Sequence, residues 1–137
     1  MSDERKIIVC VEDNASNMLL VSRIVEVEGH ELLQAEDGHS AIELLNNCDP
    51  DVILLDINIP GISGLDLARM IRKSDRLSSV PVIATTANVL VGDKERCLEA
   101  GCDDYLPKPL DIRKLREMLR YYLKNGRPAE GQPGFED

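Results

Sequence analysis

Val52-Ile53-Leu54-Leu55-Asp56-Ile57-Asn58-Ile59-Pro60-Gly61-Ile62-Ser63-Gly64 opens with four apolar residues. A carboxylate follows, and then a loop marked by Pro60-Gly61 and Ser63-Gly64. Four consecutive apolar residues with no polar alternation describe a strand buried on both faces. Such a strand needs cover above and below it, so the flanking sequence decides the sheet. Upstream, Ile7 to Val11 is another short apolar run. Asn17 to Glu28 has apolar residues at helical spacing and stops at Gly29. Glu31 to Ala35 is a weaker strand, and Ser40 to Asn47 a short helix ending before Asp49-Pro50.

Downstream, Ser63 followed by Asp66 has the look of a helix N-cap, and Leu65, Ala68, Met70 and Ile71 continue that helix. Val82 to Thr85 is a strand introduced by Pro81. Asp93 to Ala100 is a polar helix closed by Gly101, and Asp104 to Leu106 is a last strand broken by Pro107 and Pro109. Asp111 caps a final helix with Ile112, Leu115, Met118, Leu119, Tyr122 and Leu123 on its apolar face. Five strand–helix units in strict alternation predict an α/β chain with a parallel sheet and helices on both faces.

The chain has 137 residues, about one domain's worth. At 43% hydrophobic and 30% charged it is balanced for a globular core without disulfide or metal support. A net charge of −9 argues against direct nucleic-acid contact and against anionic lipid. With no Trp and only 3% aromatic residues, base-stacking platforms are excluded and the core is expected to be aliphatic. Cys10, Cys48, Cys97 and Cys102 form no Cys-x-x-Cys pair and read as buried or half-buried thiols. The start Met-Ser-Asp-Glu-Arg-Lys has no signal-peptide pattern, and no apolar run reaches membrane length. A cytoplasmic location is expected.

In an open parallel sheet, ligands bind outside the carboxyl ends of the strands. After the first apolar run come Glu12, Asp13 and Asn14. After the third come Asp56 and Asn58, after the fourth Thr85, Thr86 and Asn88, and after the fifth Lys108. Three carboxylates brought to one edge repel each other and call for a cation. Oxygen-only ligands with open positions favour Mg²⁺. A carboxylate beside Mg²⁺ and a lysine ammonium can receive a phosphoryl group, with Thr86 hydrogen-bonding one of its oxygens.

These residues carry a resemblance. Val11-Glu12-Asp13-Asn14, Asp56 through Gly64, Ala84-Thr85-Thr86-Ala87 and Tyr105-Leu106-Pro107-Lys108-Pro109 resemble, in order and spacing, the receiver domain of two-component response regulators. The resemblance covers roughly residues 6–124. It implies a flavodoxin-like (βα)5 fold with strand order 2-1-3-4-5. It further implies that Asp56 accepts a phosphoryl group from a sensor histidine kinase or phosphotransfer protein, making the chain a phosphoacceptor and not an enzyme. Asp13, Asp56 and the backbone carbonyl of Asn58 would hold Mg²⁺, with Glu12 direct or through water. Lys108 would pair with the phosphoryl group, and Thr86 and Tyr105 would form the switch that reshapes the face built by the fourth helix, fifth strand and fifth helix. Ala87 would leave the phosphoryl group accessible, and Asn58 and Asn88 would tune its lifetime.

The expected organisation is a receiver over residues 1–124 and a flexible, Gly- and Pro-rich tail over residues 125–137 with no output domain. Such a chain is expected to be a single-domain regulator acting on a downstream target protein, as a monomer or weak homodimer. The alternatives are a relay intermediate, a receiver module of a hybrid kinase and, more distantly, a haloacid-dehalogenase-like phosphatase. That phosphatase class needs a second aspartate where Asn58 stands. A flavodoxin reading lacks the phosphate loop and aromatic residues that a flavin requires. Arg113, Arg116 and Arg120 make a basic stripe on the last helix, a candidate docking face for an acidic partner.

Overall fold

The structure, a computed structural model, describes residues 5–87, 93–128 and 135. Strands β1 (Ile7–Val11), β2 (Glu31–Ala35), β3 (Val52–Asp56), β4 (Val82–Thr86) and β5 (Asp104–Pro107) alternate with five helices. The helices are α1 (Ala15–Val27), α2 (Gly38–Leu45), α3 (Gly64–Lys73), α4 (Asp93–Glu99) and α5 (Ile112–Asn125). All four pairings are parallel and the order is β2-β1-β3-β4-β5. The flavodoxin-like (βα)5 expectation therefore holds in both class and strand order. β3 and β4 are buried at every residue, as unbroken apolar runs require.

Side chains alternate along each strand, and the core divides accordingly. Val9, Val11, Ile53, Leu55, Val82 and Ala84 pack on one face with Leu45, Leu67, Ala68, Ile71 and Cys97. Ile8, Cys10, Val52, Leu54 and Ile83 pack on the other with residues of α1 and α5. The second face is not wholly aliphatic, because the ring of Tyr122 is fully buried there. Three residues read into the apolar helix faces lie outward instead. Val27 is 72% exposed, Ile112 51% and Met70 45%.

Four helices start on a side-chain cap. Asn14, Asp37, Ser63 and Asp111 accept from the backbone N–H of Asn17, Ser40, Leu65 and Lys114. At α3 the capping box is only half formed, because Asp66 pairs with Arg69 at 2.7 Å.

The two helices of the second face are also tied by charge. Glu28, the C-cap of α1, accepts from Arg116 at 3.0 and 3.1 Å and from Arg120 at 2.6 and 2.8 Å. The Arg120 hydrogen bonds lead in holding the Glu28 carboxyl below its ordinary range; burial opposes them and Arg116 adds to them. A carboxyl whose pKa is lower in the folded state stabilises the fold above its unfolded pKa, and that stability is lost as pH falls. Glu28→Gln is thus expected to lower the melting temperature at pH 7. The deficit should close as pH falls below about 4.3, where the wild-type carboxyl takes up its proton too. Thermal melts of both proteins from pH 7 to pH 3 check this; a deficit that is constant across the range contradicts it.

Candidate functional site

Because every strand is parallel, all the strand-end residues reach one edge. Glu12 follows β1, Asp56 ends β3, Thr86 ends β4, and Lys108 follows β5. Glu12 and Asp56 are each 3% exposed and Thr86 is fully buried, whereas Asp13 lies open to solvent. Carboxylate oxygens of Glu12, Asp13 and Asp56 all lie within 4.8 Å of one another.

Lys108 is drawn into this cluster. Its Nζ stands 2.9 Å from Glu12 Oε1 and 2.9 Å from Asp56 Oδ2. The Lys108 backbone N–H donates to the Thr86 carbonyl at 2.8 Å, which fixes where the side chain begins. The Lys108–Pro109 peptide is cis. Each acid also has a backbone donor. Asn14 N–H donates to Glu12 Oε2 at 3.0 Å and Asn58 N–H to Asp56 Oδ1 at 2.9 Å. One ammonium against three carboxylates leaves the site short of positive charge.

The electrostatics follow from that imbalance. Burial pushes the Glu12 carboxyl up, with the charge of Asp56 adding to it and Lys108 opposing it. For Lys108, burial works against the charge, yet the hydrogen bonds and charges of Glu12 and Asp56 hold it above the usual lysine range. Cys10 lies beneath the site, and burial pushes its thiol up, so it is held protonated and is no thiolate ligand.

The donor set suits a hard divalent cation such as Mg²⁺. It offers only oxygens, from two elements, and leaves open positions for water or a ligand. Asn58 is exposed on the loop after β3, at the rim of a cleft of about 460 Å³ that Ser63, Leu65 and Arg96 also line. Gly64 opens α3 directly behind the site. A Cβ there would overlap the backbone of Ile57 and come 2.7 Å from the Asp56 carbonyl, so only glycine lets this helix start so close to β3.

The remaining candidates take the following places. Thr86 pairs in register with Pro107, and Tyr105 with Ala84. Ala84 and Tyr105 contribute to the same face of the core, and Thr86, two residues on from Ala84, points the same way. Tyr105 is half-buried and Ala87 exposed. Asn88 lies outside the described residues. On α5, Arg116 and Arg120 are held by Glu28, and Arg113 lies 3.8 Å from Glu117.

One half-buried charge was not legible in the sequence. Arg72 donates from Nε to Gly101 O at 2.7 Å, from a terminal nitrogen to Val80 O at 2.8 Å and Ser78 O at 3.2 Å, and from the other to Asp103 Oδ2 at 2.6 Å. Gly101, at φ +111°, brings its backbone over the Arg72 stem where a Cβ would collide. An arginine in the last turn of a helix ordinarily reads as a cation matched to the helix dipole, so no local signal marked it.

Comparison with known proteins agrees with this geometry. The family model of the response regulator receiver domain matches residues 8–120. The polar-differentiation response regulator DivK of Brucella anthropi is 37% identical over 118 residues, 86% of this chain and 96% of that protein. The receiver domain of a sensor histidine kinase from Pseudomonas aeruginosa, solved with magnesium coordinated in its active-site cleft, is 34% identical with a TM-score of 0.81, covering 89% of this chain and 100% of that one. The receiver domain of a histidine kinase from Syntrophus aciditrophicus is 28% identical with a TM-score of 0.82, covering 93% and 96%.

Proposed function

The chain belongs to the response regulator receiver domain family, and from that premise we propose that Asp56 is its phosphoacceptor in two-component signalling. The observation that carries the reading is the ammonium of Lys108 set 2.9 Å from both Glu12 and Asp56, at the meeting of three strand ends. A carboxylate oxygen of Asp56 attacks the phosphorus of a phosphohistidine on a sensor kinase or phosphotransfer protein. The P–N bond breaks, its electrons return to the imidazole, and an acyl phosphate forms on Asp56.

Glu12, Asp13, Asp56 and the backbone carbonyl of Asn58 would hold Mg²⁺. When bound, the ion supplies neutralisation of the phosphoryl oxygens. Lys108 adds a second positive charge, its Nζ 2.9 Å from Asp56 Oδ2. Thr86, at the end of the strand beside β3, supplies a hydroxyl for a phosphoryl oxygen, and Tyr105 on the same face of the sheet completes the switch. That couples a local charge event to the surface formed by α4, β5 and α5. Ala87 leaves room for the donor or for water, and the amides of Asn58 and Asn88 supply no general base for hydrolysis.

A downstream acidic partner would meet the exposed Arg113 first, since Arg116 and Arg120 are already engaged by Glu28. Among the described residues, no helix is long and apolar enough to cross a membrane. The likeness to two kinase-borne receivers supports a second setting for the same chemistry, as the receiver of a hybrid kinase or a relay.

The test uses acetyl phosphate as donor. With Mg²⁺ the protein should gain the mass of one phosphoryl group in an acid-stable, base-labile form. Chelation of the metal should abolish the gain, because the incoming phosphate then meets carboxylates that a single ammonium does not balance. An adduct formed equally well under chelation overturns the metal assignment, and no adduct at all overturns the reading.

A further inference from the structure

We infer that the surface where α5 meets the edge strand β5 is a docking site for the chain's own C-terminal segment, with Arg127 and Phe135 as its two anchors. After α5 the chain turns at Gly126, with φ +69°, and Arg127 comes down on the start of β5. Arg127 donates from Nε to Asp103 Oδ1 at 2.8 Å and from a terminal nitrogen to Ser78 O at 3.1 Å. Eight residues later, Phe135 is back on the helix. Its ring centroid lies 5.8 Å from that of Tyr121 at 67°, and Tyr121 in turn meets Tyr122 at 5.0 Å and 86°. Both are edge-to-face contacts, the geometry that aromatic quadrupoles favour.

A hydrogen-bond chain fixes the register of this contact. The Phe135 backbone N–H donates to Tyr122 Oη at 3.1 Å, and that hydroxyl donates to Asp104 Oδ2 at 2.7 Å. The other oxygen, Asp104 Oδ1, accepts the Tyr105 N–H at 2.8 Å. The segment is thus connected to the backbone of β5 through one buried tyrosine. The contact takes an aromatic ring against Tyr121 and a backbone N–H on the Tyr122 hydroxyl.

Charge points the same way. In the sequence Phe135 is followed by Glu136 and Asp137, and the last turn of the helix it docks on carries Lys124. Between the anchors the sequence holds Pro128, Gly131, Pro133 and Gly134. While docked, Phe135 lies against Tyr121 and Arg127 against Asp103 beside the start of β5, so a partner of that surface competes with both anchors.

The test is amide hydrogen exchange with tyrosine ring NMR on the full chain and on Phe135→Ala and Phe135→Tyr. The Phe135 amide should exchange roughly tenfold or more slowly than its sequence dictates. Phe135→Ala should return residue 135 to the unprotected rate and shift the Tyr121 and Tyr122 ring signals. Phe135→Tyr, which keeps the ring, should retain both protection and shifts. An unprotected Phe135 amide in the wild type overturns the inference, as do identical tyrosine spectra in the wild type and Phe135→Ala. Protection that fades on dilution gives the segment to a second copy and overturns the assignment within one chain.

Discussion

Asp56→Asn is expected to take up no phosphoryl group and, in the same sample, to melt at a higher temperature than the metal-free wild type. The first outcome follows from chemistry, since an amide oxygen is no nucleophile toward phosphorus at neutral pH and Asp56 is the acid at the centre of the site. The second follows from charge. Three carboxylates within 4.8 Å face a single ammonium, and Asp56 is 3% exposed, so water screens the repulsion poorly. Removing one negative charge leaves Lys108 its bond to Glu12 and relieves the excess, a gain of about 1 kcal/mol on the scale of functional-site trade-offs. Adding Mg²⁺ should raise the melting temperature of the wild type by mass action on the folded state, and raise that of Asp56→Asn by less. Mass spectrometry and thermal melts with and without Mg²⁺ read both effects. A persisting adduct would place the acceptor elsewhere, and an undiminished Mg²⁺ shift would remove Asp56 from the cation site.

The second large effect concerns stability alone. Arg72→Leu is expected to cost about 3–5 kcal/mol, the range for breaking a buried ion pair from one side. Arg72 binds three carbonyls and the Asp103 carboxylate, whose side chain is only 5% exposed. Leucine fills part of the space but takes the Arg72 donor from the Gly101 and Val80 carbonyls, and each buried orphan is penalised, whereas Ser78 O keeps Arg127. Asp103 keeps Arg127 and the Val82 N–H, which sets the upper limit on the loss. Against a total stability of about 5–15 kcal/mol, this change removes a large share. Arg72→Lys should recover only part, because an ammonium cannot serve four acceptors arranged around a planar fork. Urea unfolding of the three proteins checks the order; a leucine variant within about 1 kcal/mol of wild type would show the network to be dispensable.

What could be read before the structure divides along a physical line. Strands β1, β3 and β4 open on apolar runs, and the polar residues that follow those runs, Glu12, Asp56 and Thr86, are strand-end residues by position alone. Parallel alternation then converts distance in sequence into one shared edge, so the acidic cluster was legible without coordinates. Arg72, Glu28 and Tyr122 were not. Each is an unremarkable residue for its helix position, and each owes its role to a partner far away in the chain: Asp103, Arg116 with Arg120, and Asp104. Pattern reading detects periodicity and local caps, and long-range polar pairing leaves no local trace. The exposure of Val27, Met70 and Ile112 shows the same limit, since periodicity alone does not say which apolar side chains reach the sheet.

The split of the core by the sheet also bears on biosynthesis. One face is closed by α1 and α5, so the first helix made waits for the last. Until residues 112–125 leave the ribosome, Ile8, Leu54 and Ile83 lack the cover that α5 gives them. A nascent or truncated chain that stops before α5 therefore leaves apolar sheet surface beside α1 open, the kind of surface that chaperones bind and that aggregates form upon. The face closed by α2, α3 and α4 can form before α5 is made, but the domain becomes safe to release only at its final helix.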